Sequence, residues 1–139
     1  MVSIKYLGRI IEHYPVPDDY GEGHTWMPGE LLTLDSNGKL TKADDTSTGM
    51  IGIAMEMRQA PVENYYIFDQ TKTAGVGSVL TGEAVIETDV YESGVTFAVN
   101  DELRVGPNGK ITNTGTGKAI GRARKFENGV LTLFFRPEL

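Results

Sequence analysis

The chain has 139 residues, 40% hydrophobic and 23% charged, with a formal net charge of −6 and no cysteine. That length fits one domain, large enough to bury a core without metal or disulfide staples. Without cysteine there are no disulfides and no thiolate chemistry, and the acidic balance argues against nucleic acid as the main partner, because phosphate binding needs a basic face. No apolar run approaches a membrane span, and the N-terminal residues lack the apolar core of a signal peptide. The expectation is a protein made and used in cytoplasm, or in particles assembled there.

From the N-terminus, Ile4 to Ile11 reads as a short strand. Beyond it, Pro15, Pro17, Gly21 and Gly23 stand among Asp18, Asp19 and Glu22, which prevents a helix and discourages a central strand. Yet the stretch carries Tyr14, Tyr20 and Trp26, and a flexible tail rarely holds so many aromatics. Residues 1–28 are therefore expected to form an extended arm that packs on its own domain or on a neighbour, and residues 29–139 a single β-domain. There, a first hairpin is expected at Leu31–Leu34 and Lys39–Lys42, then a strand from Met50 to Met57. Tyr65 to Phe68 is a short apolar run without helical period and reads as a strand. Gly75 to Val90 alternates, and Val95 to Val99 is a further strand candidate. A second hairpin follows, then Ala119 to Lys125, a turn at Glu127-Asn128-Gly129, and a strand from Val130 to Phe135. In that last strand Val130, Thr132 and Phe134 form one face and Leu131, Leu133 and Phe135 the other. Two mostly apolar faces imply burial on both, or one face against a partner. Short strands at this spacing with Gly and Asn turns indicate an all-β sandwich or small barrel.

The two hairpins repeat. Glu30 onward reads E-L-L-T-L-D-S-N-G-K-L-T, and Asp101 onward reads D-E-L-R-V-G-P-N-G-K-I-T. Aligned on Asn37-Gly38 and Asn108-Gly109, the copies share Leu32/Leu103, Thr41/Thr112 and, after a short gap, Ile51-Gly52/Ile120-Gly121. An Asn-Gly pair between alternating apolar residues signals a hairpin, because both residues tolerate positive φ. The expectation is a two-fold pseudo-repeat with equivalent tight turns, each hairpin feeding a strand that starts at Ile-Gly.

The candidates for chemistry are few. Gly75-Val76-Gly77 to Gly82 looks like a phosphate loop but lacks the Lys-Ser/Thr and the following helix. Asp35-Ser36-Asn37-Gly38 starts like a calcium loop, but Thr46 stands where the bidentate acid belongs. Asp44 and Asp45 add loop carboxylates. His13 and His24, near Asp18, Asp19 and Glu22, are of metal-ligating type but match no metal motif. Glu83, Glu87 and Asp89 share one strand face, as paired catalytic acids or a solvated face both would. Arg122, Arg124 and Lys125 are the nearest approach to a basic patch, and edge strands carry such residues for other reasons. No catalytic, cofactor or metal constellation is assigned.

The runs Pro28 to Asp35, Gly52-Ile53-Ala54, Val99 to Ile111 and Ile120 to Ala123 resemble those of small capsid decoration (cement) proteins of tailed bacteriophages, over about half the chain. The resemblance implies a β-rich, non-enzymatic virion protein, assembled in the host cytoplasm and often a homotrimer. Such a protein binds the major capsid protein on the outer capsid surface and stabilises the shell. It also implies that an N-terminal arm contributes to the contact. Tyr14, Tyr20 and Trp26 are the candidate capsid or subunit interface, and deleting residues 1–20 is expected to weaken assembly more than folding. The alternative is a glycan- or receptor-binding β-sandwich module of a phage tail or fibre, with Trp26, Tyr65 and Tyr66 as its aromatics. A hydrolase on a β-scaffold would need an acid pair in a cleft.

Overall fold

The computed structural model describes residues 2–7, 11–60 and 75–137, and these are nearly all β. Six strands form one sheet: β1 (Val2–Leu7), β7 (Ala84–Thr88), β11 (Val130–Phe135), β10 (Ala119–Glu127), β8 (Glu102–Val105) and β9 (Ile111–Thr112), in that order. Five form the other: β2 (Ile11–Pro15), β6 (Val76–Leu80), β5 (Gly52–Ala54), β3 (Leu31–Leu34) and β4 (Leu40–Lys42). Neighbouring strands are antiparallel throughout. The main core lies between the sheets, with Leu31, Ile53 and Leu80 from one and Ile86, Leu103 and Leu133 from the other.

The segment expected as an arm is built into both sheets. β1 is an edge strand of the six-stranded sheet and β2 an edge strand of the five-stranded one. The edge is where a strand ending in Pro15 belongs, because proline cannot donate to a ladder. The single strand expected over Ile4 to Ile11 is thus replaced by two strands in different sheets. Gly75 to Val90 also divides: β6 and β7 lie in different sheets, and the chain crosses between them at Thr81-Gly82-Glu83. Val95 to Val99 is not a strand; it runs into a turn closed by Asp101 N–H to Ala98 O at 3.1 Å. The strand expected at Tyr65 to Phe68 lies outside the described residues.

The aligned segments make matching backbone bonds. Glu30 N–H donates to Met27 O at 3.1 Å, as Asp101 N–H does to Ala98 O. Gly29 N–H donates to Ala54 O and Asn100 N–H to Ala123 O, both at 2.8 Å. Gly29 and Asn100 both have positive φ. Strand order matches as well: β3 lies between β4 and β5, and β8 between β9 and β10. The tight turns, however, differ. At the first, Gly38 alone has positive φ, and Asp35 Oδ1 accepts Asn37 N–H at 2.8 Å and Lys39 N–H at 3.0 Å. At the second, Gly106 replaces that aspartate, and Asn108 (φ 55°) and Gly109 (φ 69°) are both left-handed, as in a type I′ turn.

The units also present opposite faces to the core, which is not the face-to-face pairing of a two-fold arrangement. Leu31 corresponds to Glu102, Ile53 to Arg122 and, through the registers Ile53↔Leu80 and Arg122↔Phe134, Leu80 to Phe134. The first of each pair is in the inter-sheet core; the second lies on the outer face of the six-stranded sheet. Conversely Leu32, Leu40, Ala54 and Val79 point away from that core, while their counterparts Leu103, Ile111, Ala123 and Leu133 point into it. The units therefore stack front to back. The outward face of the first sheet is covered by Tyr14, Val16 and Trp26, which close a second, smaller core over Leu32, Leu40, Ala54 and Val79. Gly77 permits this layer to lie flat, since a Cβ there would sit 2.7 Å from Leu40 Cδ1 and 3.3 Å from Val16 Cγ1. Gly77 of the supposed phosphate loop is thus a packing glycine, whereas Gly75 has positive φ and open space around it.

Candidate functional site

The covering layer is fastened by a residue the sequence reading passed over. Arg58 and Trp26 exchange backbone bonds, each N–H donating to the other's carbonyl at 2.9 Å. The Arg58 side chain is 2% exposed. Its Nε donates to His24 O at 3.0 Å, and its Nη2 donates to Asp19 O at 3.0 Å and to Pro17 O. Its guanidinium carbon lies 4.3 Å from the centroid of the Tyr20 ring. Asp19 Oδ1 accepts Gly21 N–H at 2.9 Å and meets His24 Nδ1 at 2.5 Å. The Gly21 bond first, and the His24 contact second, hold the Asp19 carboxyl below its ordinary range. One buried arginine thus collects three carbonyls and a ring, and makes the Pro/Gly-rich segment a fixed loop with outward carboxylates.

The interface candidates fall on this layer. Trp26 is 3% exposed and belongs to the second core, while Tyr14 and Tyr20 are half-buried. The Tyr14 hydroxyl is hydrogen-bonded to Glu12, and this bond, ahead of burial, raises its pKa.

Other chemically able groups hold loops and turns. His13 Nδ1 lies 2.9 Å from Ser78 Oγ across β2 and β6. Glu56 accepts the backbone N–H of Ser78 at 2.8 Å. His13 and His24 are engaged with different partners, and no group of three His, Asp or Glu side chains among the described residues could hold a metal ion. Asp35 caps its turn rather than opening a cation loop. Asp44 accepts the Thr46 hydroxyl and N–H, which lowers its pKa. The three acids fall on the outward side of the alternation through β7: Glu83 sits in the crossover before it and meets Arg136 Nε at 3.2 Å, Glu87 is on β7, and Asp89 lies past its end.

Glu30 is the second residue whose role the sequence did not reveal. It is 3% exposed. Its Oε1 accepts Met27 N–H at 2.8 Å, while Oε2 lies 3.0 Å from Lys110 Nζ and 3.3 Å from Lys42 Nζ. It ties the turn of the second hairpin to the first. Asp101, at the aligned position, accepts Ala98 N–H and Asn113 Nδ2, both at 2.9 Å, and these bonds lower its pKa in that order.

On the outer face of the six-stranded sheet Arg122 is exposed and Glu102 and Phe134 are half-buried. A groove of about 240 Å³ there is lined by Glu102, Ala119, Gly121, Arg122, Phe134 and Arg136. Arg124 stacks over Phe134, 5.3 Å from its centroid, and Arg122 Nη1 donates to Asn100 O at 3.0 Å. The expected basic residues Arg122 and Arg124 are therefore brought together around an aromatic ring. No helix among the described residues is long and apolar enough to cross a membrane. Compared with known proteins, the chain matches no family model, no curated protein and no solved structure.

Proposed function

We propose that this chain is a non-enzymatic structural protein that binds the outer surface of a tailed-phage capsid through the major capsid protein and stabilises the shell, acting as a homotrimer in the virion. The observation that supports this reading most is how its polar residues are used. In the runs that resemble cement proteins, Glu30, Asp35 and Asp101 bind backbone N–H groups and fix turns, as Arg58 fixes the covering loop. Such a body presents fixed loops and edges, which is what lattice binding needs. Many weak contacts on a symmetric surface add by multivalency, and a ligand that binds only the assembled shell stabilises it by mass action. The glycan-binding reading has less support, because Trp26 is buried in its own domain and Tyr65 and Tyr66 lie outside the described residues.

The test is to mix the purified protein with expanded and unexpanded shells lacking it, then measure occupancy and shell melting temperature. Saturable occupancy with a raised melting temperature is expected. Binding to neither shell form, or saturable binding of a soluble glycan that changes Trp26 emission, overturns the proposal.

A further inference from the structure

We propose that the outer face of the six-stranded sheet, at Phe134, Arg122 and Arg124, docks a second copy of this chain, which brings its own 18–22 loop to that face head to tail. This rests on the self-association in the reading above, and its test uses no capsid.

Three observations carry it. The first is the front-to-back stacking inside the chain. Glu102, Arg122 and Phe134 occupy the positions at which Leu31, Ile53 and Leu80 bury the first sheet against the second. The outer face is thus the one at which a further layer would continue the stack. The layer at the other end of the molecule is the one that contains residues 14–26. A second copy that extended the order would lay that layer on this face.

The second observation is charge. Residues 11–58 hold nine carboxylates against three basic side chains, and residues 100–137 hold seven basic side chains against three carboxylates. The Arg122 side chain is 61% exposed and lies 3.9 Å from Glu102, and Arg124 has no carboxylate partner among the described residues. On the other end the Asp18 and Asp19 side chains are 98% and 71% exposed. Arginine and aromatic side chains are the types enriched at binding hot spots, and a guanidinium can meet a carboxylate through two parallel bonds.

The third observation is preorganisation. Arg58 and the Asp19–His24 contact fix the backbone that carries those carboxylates. A fixed loop loses less conformational entropy on docking than a mobile one. Contact between two different surfaces is heterologous, so it closes into a ring only where the rotation per copy permits and otherwise extends as an open stack.

The experiment is light scattering on the full chain over a dilution series. The mass should exceed one chain at about 0.1 M salt and fall to one chain at about 1 M, where charge pairs are screened within about 3 Å. Arg122→Glu with Arg124→Glu, and separately Asp18→Lys with Asp19→Lys, should each give a monomer with unchanged circular dichroism. An equimolar mixture of the two double variants offers one contact with both charges intact and one with both charges reversed, so its mass should again exceed one chain. A chain carrying all four substitutions should self-associate again. A wild-type chain that is monomeric throughout overturns the proposal, as does an oligomer that neither pair disrupts, or a mixture that regains no mass. A monomeric wild type whose binding to a DNA oligonucleotide is lost with Arg122→Glu and Arg124→Glu also overturns it, and assigns the face to nucleic acid.

Discussion

Arg58→Ala is the most informative single substitution, because a buried side chain there organises a segment with little regular structure of its own. The change removes three guanidinium-to-carbonyl bonds and the stack on Tyr20. Bonds to a charged donor are worth about 1.5–3 kcal/mol each, but loop carbonyls can turn to water, so about 1 kcal/mol each is the fitting figure. The ring contact adds about 1 kcal/mol. Against this, the guanidinium no longer has to be desolvated, which offsets part of the loss. The net expectation is a destabilisation of about 2–3 kcal/mol, within the 5–15 kcal/mol typical of a domain, so the two sheets stay folded. Trp26 is the only tryptophan and is bonded to Arg58 through the backbone. Its emission should therefore shift to the red before the urea transition of the sheets seen by circular dichroism. Arg58→Lys keeps the charge but not the fork of donors, and should retain less than half of the stabilisation. A midpoint change equivalent to less than about 0.5 kcal/mol, with unshifted emission, would refute the assignment.

Glu30→Ala leaves Met27 N–H without its acceptor and removes the anion between Lys42 and Lys110; both lysines reach solvent, so a loss of about 2 kcal/mol in urea denaturation is expected, and Glu30→Gln, which keeps the N–H acceptor, should lose about 1. At Gly121 (φ 152°) a Cβ would lie 2.0 Å from Phe134 O, whereas at Gly52 it would lie 3.2 Å from Leu80 O; Gly121→Ala should cost at least about 3 kcal/mol or abolish folding, and Gly52→Ala about 1. Asp101 has a lowered folded pKa, so its contribution is present above the unfolded value of about 3.9 and is lost as pH falls through the folded value. Asp101→Asn should therefore lower the melting temperature at neutral pH and flatten its acid-side decline. Deleting residues 1–20 removes β1 and β2, one edge strand from each sheet, and most of the loop that Arg58 binds; it should lower the melting temperature outright, and an unchanged melting curve would restore the independent arm.

The β class, both hairpins and the last strand pair were legible because alternation and Asn-Gly turns are local signals. Leu31–Leu34 and Val130–Phe135 appear at the residues read from sequence. The matched turns that precede the repeat, Met27 to Glu30 and Ala98 to Asp101, were missed because their likeness lies in backbone bonds and positive φ, and their side chains differ. The split of Gly75 to Val90 between sheets was not legible, since a strand's period of two does not say which sheet it joins. The different faces were hidden for a similar reason: Leu32 and Leu103 are alike in sequence, but burial on both sides of the first sheet depends on residues 14–26 lying over it. Arg58 looked like any charged residue beyond a strand, because its partners are mostly carbonyls distant in sequence.

Front-to-back packing also decides which parts of the repeat were free to diverge. Leu31, Ile53 and Leu80 must stay apolar because the second sheet lies on them. Glu102, Arg122 and Phe134 are released from that constraint, and two of the three have become charged. The turn carboxylates separate in the same way. Glu30 lies under the second hairpin and is paired with two lysines, whereas Asp101 is more exposed and takes neutral donors. Surfaces that no longer serve the internal stack are where a binding function can evolve without loss of stability. In this chain those are the outer face around Phe134 and the loop that Arg58 fixes at the opposite end.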